Sequence, residues 1–174
     1  MKNSQATVLA AAAALVVCAA WAGEAPMPPR MPVNSTFARM KALVGDWKGT
    51  SKGGSSVTVT YTLVSDASAL MERLKTTGAN GEVEEMISMY APDGDGVMMT
   101  HYCSMHNQPR MRAAATESGP LAFAFIDATN LASPESAHMD HVTLSIAPDK
   151  ISQEWTYKAG GQAQSDTFTY SRVK

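Results

Sequence analysis

The sequence predicts an all-β protein: a closed, antiparallel, up-and-down barrel of about ten strands with a short N-terminal helix. Three observations lead there. From Val44 onward apolar residues recur with a period of two, as where Val57, Val59, Tyr61 and Leu63 alternate with Thr58, Thr60 and Thr62. Turn-forming residues then punctuate the chain about every ten to thirteen residues, the spacing of antiparallel hairpins. No segment between those turns has the length and period of a crossover helix, which excludes parallel pairing. Ten strands in series leave two open edges unless the sheet closes on itself, and closure is the expected solution.

Residues 1–22 read as a secretory leader. Lys2 is the basic n-region, Val8 to Ala20 is an apolar core too short for a span, and Ala20-Trp21-Ala22 is a small-x-small cleavage site. A lipoprotein reading would use Cys18 after Leu15-Val16-Val17, but such a cysteine normally follows a small residue and Val17 is branched. The expected location is periplasmic or secreted. Residues 23–35 hold Pro26, Pro28, Pro29 and Pro32 and read as a linker, because proline supplies no donor to a helix or a sheet ladder. The barrel domain is expected over residues 36–174. Asn34 or Ser35 can cap a helix from Thr36 to Leu43, with Phe37, Met40 and Leu43 or Val44 on one face to plug a barrel end.

Nine turns follow: Gly53 to Ser56, Ser65-Asp66, Asn80-Gly81, Pro92 to Gly96, Asn107-Gln108-Pro109, Ser118-Gly119-Pro120, Ala128 to Ala137, Pro148-Asp149 and Gly160-Gly161. Nine connections imply ten strands. Alternation places Leu70 and Leu74 inward, then Val83, Ile87 and Met89, then Leu121, Phe123 and Phe125. Val142, Leu144 and Ile146 follow, with Ile151, Trp155, Tyr157, Phe168 and Tyr170. Glu72, Glu85, Gln153 and Arg172 fall on the same phases. Polar groups there are costly unless they pair or face a wet cavity, and a ten-strand barrel has room for one.

Composition excludes some classes of function. Fourteen Lys+Arg against 16 Asp+Glu give a net charge of −2, with no basic run, so nucleic acid is not an expected partner. No second long apolar segment exists, so no membrane span is expected. Beyond the leader Cys103 is the single cysteine, which allows no internal disulfide. The sequence names neither a cofactor nor an oligomeric state.

Val44-Gly45-Asp46-Trp47-Lys48-Gly49 resembles the Gly-x-Trp signature that opens the first strand of calycins: lipocalins, fatty-acid-binding proteins and nitrobindin-like barrels. The resemblance implies a C-terminal arginine laid across the indole, and Arg172 in the last strand is placed for it. Thr100-His101-Tyr102-Cys103, Asn107 to Met111 and Ala137-His138-Met139 are similar to a group of exported bacterial calycin-like proteins close to domain of unknown function 1579. That resemblance spans most of Leu43 to Val173. It implies the fold and no activity, and the context of a nitrobindin-type haem-ligating histidine is not found.

The chemistry-bearing stretch is the hairpin from Gly96 to Arg112. Val97, Met99, His101, Cys103 and Met105 share one face, while Met98, Thr100, Tyr102, Ser104 and His106 share the other. Both faces carry Met, so the phase is open. If the first face is inward, His101 and Cys103 enter the barrel, joined by His138 on the phase of Val142 and Leu144. Imidazole, thiolate and thioether form a soft set for Cu(I) or Zn(II). The absence of His-x-x-x-His and Cys-x-x-Cys spacings favours a hydrogen-bonded cluster with an inert thiol. If Asn107-Gln108 is a two-residue turn, Arg112 lies opposite Cys103 and Arg110 opposite Met105. An inward arginine would bind a carboxylate head group and activate the thiol; an outward one would simply be solvated.

Other constellations are weaker. Asp93-Gly94-Asp95-Gly96 opens like a calcium loop, but Ser104 stands where the twelfth-position Glu belongs, and it reads as a hairpin turn. In His138-Met139-Asp140-His141 the two histidines point to opposite faces of a regular strand and cannot chelate together. Glu72 and Glu85 on adjacent strands could form paired carboxylates, although pairing with Arg73, Arg110 or Arg112 accounts for them more simply. Nothing marks an oxyanion site or a group to orient a base beside Cys103. The expected function is therefore non-catalytic binding of a small, partly apolar or amphipathic molecule inside the barrel, acidic if an arginine faces it. His101, Tyr102, Cys103, Arg110, Arg112 and His138 are the expected ligand-binding groups. A metal or haem site using His101, Cys103 and His138 is the second reading, and a thiol-dependent enzyme the third.

Overall fold

The computed structural model describes residues 33–51 and 53–174. The expected leader with Cys18, and the linker as far as residue 32, lie outside the described residues. Among those described, helix α1 spans Ser35–Met40 and continues as a 3-10 turn, Lys41–Leu43. Ten strands follow: β1 Gly45–Thr50, β2 Ser56–Val64, β3 Ala69–Thr77, β4 Val83–Asp93, β5 Gly96–Tyr102, β6 Gln108–Ala113, β7 Leu121–Thr129, β8 His138–Ile146, β9 Lys150–Ala159 and β10 Gln162–Arg172. Every strand pairs antiparallel with its sequence neighbour, and β1 pairs with β10 to close the barrel. No described helix is long and apolar enough to cross a membrane.

Asn34 starts α1 in extended conformation, and its Oδ1 accepts from the Phe37 N–H at 2.7 Å. Its Nδ2 donates to the Gly96 carbonyl at 2.6 Å, so one side chain both caps the helix and ties it to the β4–β5 turn. Phe37, Met40 and Leu43 are buried among the barrel's apolar residues. Each contributes about 1.5–3 kcal/mol by burial. Val44, the alternative to Leu43 on this face, is exposed.

The Gly-x-Trp segment works as the resemblance implies. The Trp47 indole is buried, and its Nε1 donates to the Leu43 carbonyl at 2.7 Å. The Arg172 guanidinium lies 4.1 Å from the indole centroid and donates to the Val44 and Ala42 carbonyls at 2.9 and 2.7 Å. Gly45 adopts φ +124°, and a Cβ there would sit 3.1 Å from Arg172 Nη1. The glycine makes room for the clamp.

Three registers differ from expectation. In β4 the inward residues are Tyr90 and Ser88, with Met86 half-buried, while Val83 is 63% exposed. Apolar side chains occupy both phases of β4, so hydrophobicity alone does not choose between them. Pairing with β3 does: Glu72 meets Ser88 and Leu74 meets Met86. Glu85 is consequently outside, 3.0 Å from Lys75, and forms no carboxylate pair with Glu72. Second, β5 ends at Tyr102, and the β5–β6 turn runs from Cys103 to Asn107 with His106 at φ +63°. The Cys103 N–H donates to the Asn107 carbonyl at 3.2 Å and the His106 N–H to the Cys103 carbonyl at 3.0 Å. This five-residue turn sets Arg112 opposite Met98 and Arg110 opposite Thr100. A register change by an odd number of residues moves side chains to the other face. Third, β8 carries a bulge between Met139 and His141. The extra residue places Met139 opposite the inward-phase Tyr157 and His138 opposite Lys158.

Candidate functional site

The middle of the barrel is polar, as the inward phases of Glu72 and Gln153 required. The Glu72 carboxyl is 1% exposed and accepts from Tyr90 Oη at 2.6 Å and Gln153 Nε2 at 3.0 Å. Gln153 Nε2 also donates to Tyr61 Oη at 2.9 Å, and Gln153 Oε1 accepts from Trp155 Nε1 and Tyr170 Oη, both at 3.2 Å. Burial holds the Glu72 carboxyl above the usual carboxylate range, against hydrogen bonds from Tyr90, Gln153 and Tyr61 that pull it down. Burial, reinforced by Glu72, pushes Tyr61 and Tyr90 upward. This layer is saturated with internal partners, so it is a floor and not a binding surface.

His101 stands above that floor. It is 4% exposed, and its ring lies 4.8 Å from the Trp155 ring across the interior. Nδ1 is 3.0 Å from Ser88 Oγ. Nε2 is buried and has no hydrogen-bond partner. Leaving such an atom unpaired costs about 1–3 kcal/mol. Burial pushes the imidazole down to about 4, so the ring is neutral at pH 7.

Over these two rings opens a cavity of about 260 Å³ at the barrel end opposite α1. Leu74, Met86, Met139, Trp155 and Phe168 form its apolar wall, with His101 among them. Ser51, Thr76, Glu84 and Asp166 are its remaining polar groups, and no described basic residue lines it. The placement follows from topology. In an up-and-down barrel alternate turns share an end, so the β1–β2, β3–β4, β5–β6, β7–β8 and β9–β10 connections ring this mouth while α1 fills the other.

The expected site residues separate. His101 enters the barrel, and Cys103 is buried at the start of the β5–β6 turn without lining the cavity. Burial is the largest influence on its thiol and pushes it up, away from the reactive thiolate. Tyr102 is half exposed on the outer face. Arg110 is outside and forks onto Asp127, with Nε 2.6 Å from Oδ1. Arg112 is also outside, 2.6 Å from Asp93 and 3.2 Å from Asp95. His138 is buried against Phe125, ring centroids 4.7 Å apart, with Nδ1 2.7 Å from the Ser136 carbonyl and Nε2 3.6 Å from Asp140. His141 pairs with Asp140 on the exposed side. Among the described residues no three His, Cys, Asp or Glu side chains gather closely enough to hold a metal ion. His101, Cys103 and His138 are thus not brought together.

Leu74, Trp155 and Phe168 carried a usable signal, since their inward phases were legible and they lie near strand ends at one mouth. Met86, Glu84 and Ser88 were hidden by the ambiguous phase of β4, and Met139 by the bulge. Asp166 sits in a β10 segment of polar residues with no alternation to read.

No family model matches the chain, and no curated protein matches it. Among solved structures, one described as "Structure of EF1p2_mFAP2b bound to DFHBI" is similar over 81% of this chain and 100% of its own, at 12% identity and a TM-score of 0.40. The closed barrel rests on the chain's own strand pairing, which joins all ten strands in one unbroken ring.

Proposed function

We propose that this is an exported small-molecule-binding barrel whose ligand sits in the cavity above His101 and Trp155. The observation that carries the reading is His101, a buried residue in the cavity wall whose Nε2 has no hydrogen-bond partner. A buried imidazole nitrogen without a partner is uncommon in a finished core and is what a ligand-orienting group presents before its ligand arrives. The surrounding thioethers and aromatic rings make an adaptable apolar wall. Export rests on the leader read in residues 1–22, and a periplasmic or secreted location follows from it. Kinship with the exported calycin-like group rests on the Gly45-x-Trp47 segment and the Thr100 to Cys103 stretch.

An acidic ligand loses its support, because Arg110 and Arg112 lie outside and are paired with aspartates. Among the described residues the charged groups lining the cavity are the carboxylates Glu84 and Asp166, which favours a neutral or cationic ligand.

The test is native mass spectrometry, with elemental analysis, of the protein isolated from its source cell envelope. Expected is a non-covalent organic adduct that His101→Phe reduces and Arg110→Ala leaves unchanged. Stoichiometric metal would replace this reading with a metal site. A bare mass that stays bare with millimolar small aromatic probes would overturn it.

A further inference from the structure

Pairing between β7 and β8 stops short of the mouth. It runs from Leu121 with Leu144 to Ala124 with His141 and no further, although β7 continues to Thr129 and β8 begins at His138. Over that stretch each strand keeps its other neighbour. β7 stays on β6 as far as Thr129 with Gln108, and β8 is on β9 from His138 with Lys158. Residues 125–129 and 138–140 therefore border each other without a ladder. A bulge flanks the last pair on each strand, Ile126 on β7 and Asp140 on β8. Bulges end pairing and bend the strand that carries them, so the wall parts here into a seam that runs to the mouth. By contrast β2 and β3 pair along their whole length, from Ser56 with Thr77 to Val64 with Ala69.

Side chains close the seam where the backbone does not. His138 shares the phase of Lys158, opposite to that of inward Trp155, yet it is buried, and its ring packs on Phe125 across the seam with centroids 4.7 Å apart. Asn107, from the β5–β6 turn, donates Nδ2 to the Ala137 carbonyl at 2.7 Å. It is buried, and its Oδ1 has no partner. A buried amide satisfied at one end only is a weak fastening: opening breaks one hydrogen bond and returns the other end to water. Met139, next to His138 on the same edge, lines the cavity. The edge of the seam is thus also the wall of the cavity.

We propose that the seam between β7 and β8 is the gate of the cavity, latched by the Asn107–Ala137 bond, and that its parting draws Met139 aside and admits the ligand through the barrel wall. The proposal rests on the reading of the cavity as a ligand site. Segments that open for ligands come from the least stable part of a fold, and a stretch without a ladder is such a part.

Two measurements on the intact protein test this. The first is amide hydrogen exchange. Asn107→Ala should speed exchange in residues 125–129 and 138–140 about tenfold, for one lost hydrogen bond, and leave β2 and β3 unchanged. Equal acceleration in β2 and β3 would make Asn107 a general stabiliser and overturns the latch. The second is stopped-flow fluorescence with N-phenyl-1-naphthylamine, a neutral apolar probe. Asn107→Ala should raise its association and dissociation rates together, about tenfold, with little change in affinity, because a gate acts on both directions alike. Ile126 and His141 are exposed on either side of the seam. A short bis-maleimide joining Ile126→Cys to His141→Cys, in a Cys103→Ser background, should slow both rates tenfold or more against the same protein before cross-linking. Probe binding with rates that ignore the cross-link places entry at the mouth, overturns the gate and leaves the cavity as a ligand site. Faster seam exchange in Asn107→Ala, with no probe binding up to its solubility limit, overturns the ligand reading and leaves the opening itself standing.

Discussion

The imidazole of His101 on β5 and the indole of Trp155 on β9 meet across the barrel interior, centroids 4.8 Å apart and planes tilted by 45°. These two rings divide the interior. Beneath them every polar side chain from Glu72 to Gln153 is spent on an internal partner. Above them one nitrogen is not. The division separates a hydrogen-bonded half from the half that holds the cavity.

His101 makes stability depend on pH with a defined sign. Its folded-state value is lowered from 6.5 to about 4, so between these limits the unfolded chain binds a proton that the folded chain refuses. The His101 contribution to stability therefore rises from about pH 4 to about pH 6.5 and is flat above. Its full amplitude is about 3 kcal/mol. Tyr90 and Glu72 below it, Glu84 and Asp166 in the shared cavity and Cys103 on its own strand's extension are the other titratable groups near it. Urea denaturation of the wild type and His101→Phe from pH 4 to 7 isolates the His101 term by difference. A difference that does not change with pH would show that the imidazole titrates normally.

Glu72 has the opposite sign. Its folded-state value is raised above 4.5, so the folded chain keeps a proton that the unfolded chain releases. The stability this provides is complete below about pH 4.5 and is lost as pH rises through the folded value. Glu72→Gln should gain stability relative to the wild type as pH rises from 5 to 8. Glu72→Ala instead removes the acceptor for Tyr90 and Gln153 and should cost about 3 kcal/mol at low pH, a loss that narrows as pH rises and the wild type gives up the Glu72 contribution. Chemical denaturation across the range distinguishes the two variants, and a pH-independent Glu72→Gln difference would mean that the carboxyl ionises normally in the barrel.

Arg172 is a clamp that lysine cannot replace. A planar guanidinium stacks on Trp47 while donating to Pro148, Val44 and Ala42 carbonyls at 3.2, 2.9 and 2.7 Å. An ammonium cannot make that fan of contacts from one place. Arg172→Lys should lose about 2 kcal/mol and Arg172→Ala slightly more. Thermal denaturation reads the loss, and a lysine variant as stable as the wild type would reduce the contact to simple charge.

Cys103 should be slow to alkylate. Its buried thiol is pushed toward the protonated form, so iodoacetamide at pH 7 should modify the native protein at least tenfold more slowly than the unfolded one. Rapid native labelling, followed by peptide mapping to Cys103, would revive a thiol-dependent activity.

The barrel was legible because two signals with different physical origins agree. Alternation reports which side faces the core, and turn residues report where the chain reverses; together they located ten strands, while the contact of Arg172 with Trp47 was expected from the calycin resemblance alone. The site was only half legible, because its geometry depends on parity. One turn of five residues at Cys103–Asn107, in place of two at Asn107-Gln108, sends Arg110 and Arg112 outward while His101 stays inside. One bulge at Met139 and Asp140 exchanges a histidine for a methionine on the cavity wall. Neither device leaves a hydrophobic trace, since Met occupies both faces of β5 and a bulge adds a single residue to a strand.

The closing contact also dictates when the molecule can become itself. Arg172 reaches Val44 and Ala42 across 128 and 130 positions of sequence. The last strand is thus the keystone for the first, and a growing chain cannot complete the ring until its final residues have emerged. Loops that long close slowly and late. Until then β1 and β9 both present unpaired backbone edges. Such a chain stays open while it is made, and its vulnerable interval ends with the docking of one guanidinium.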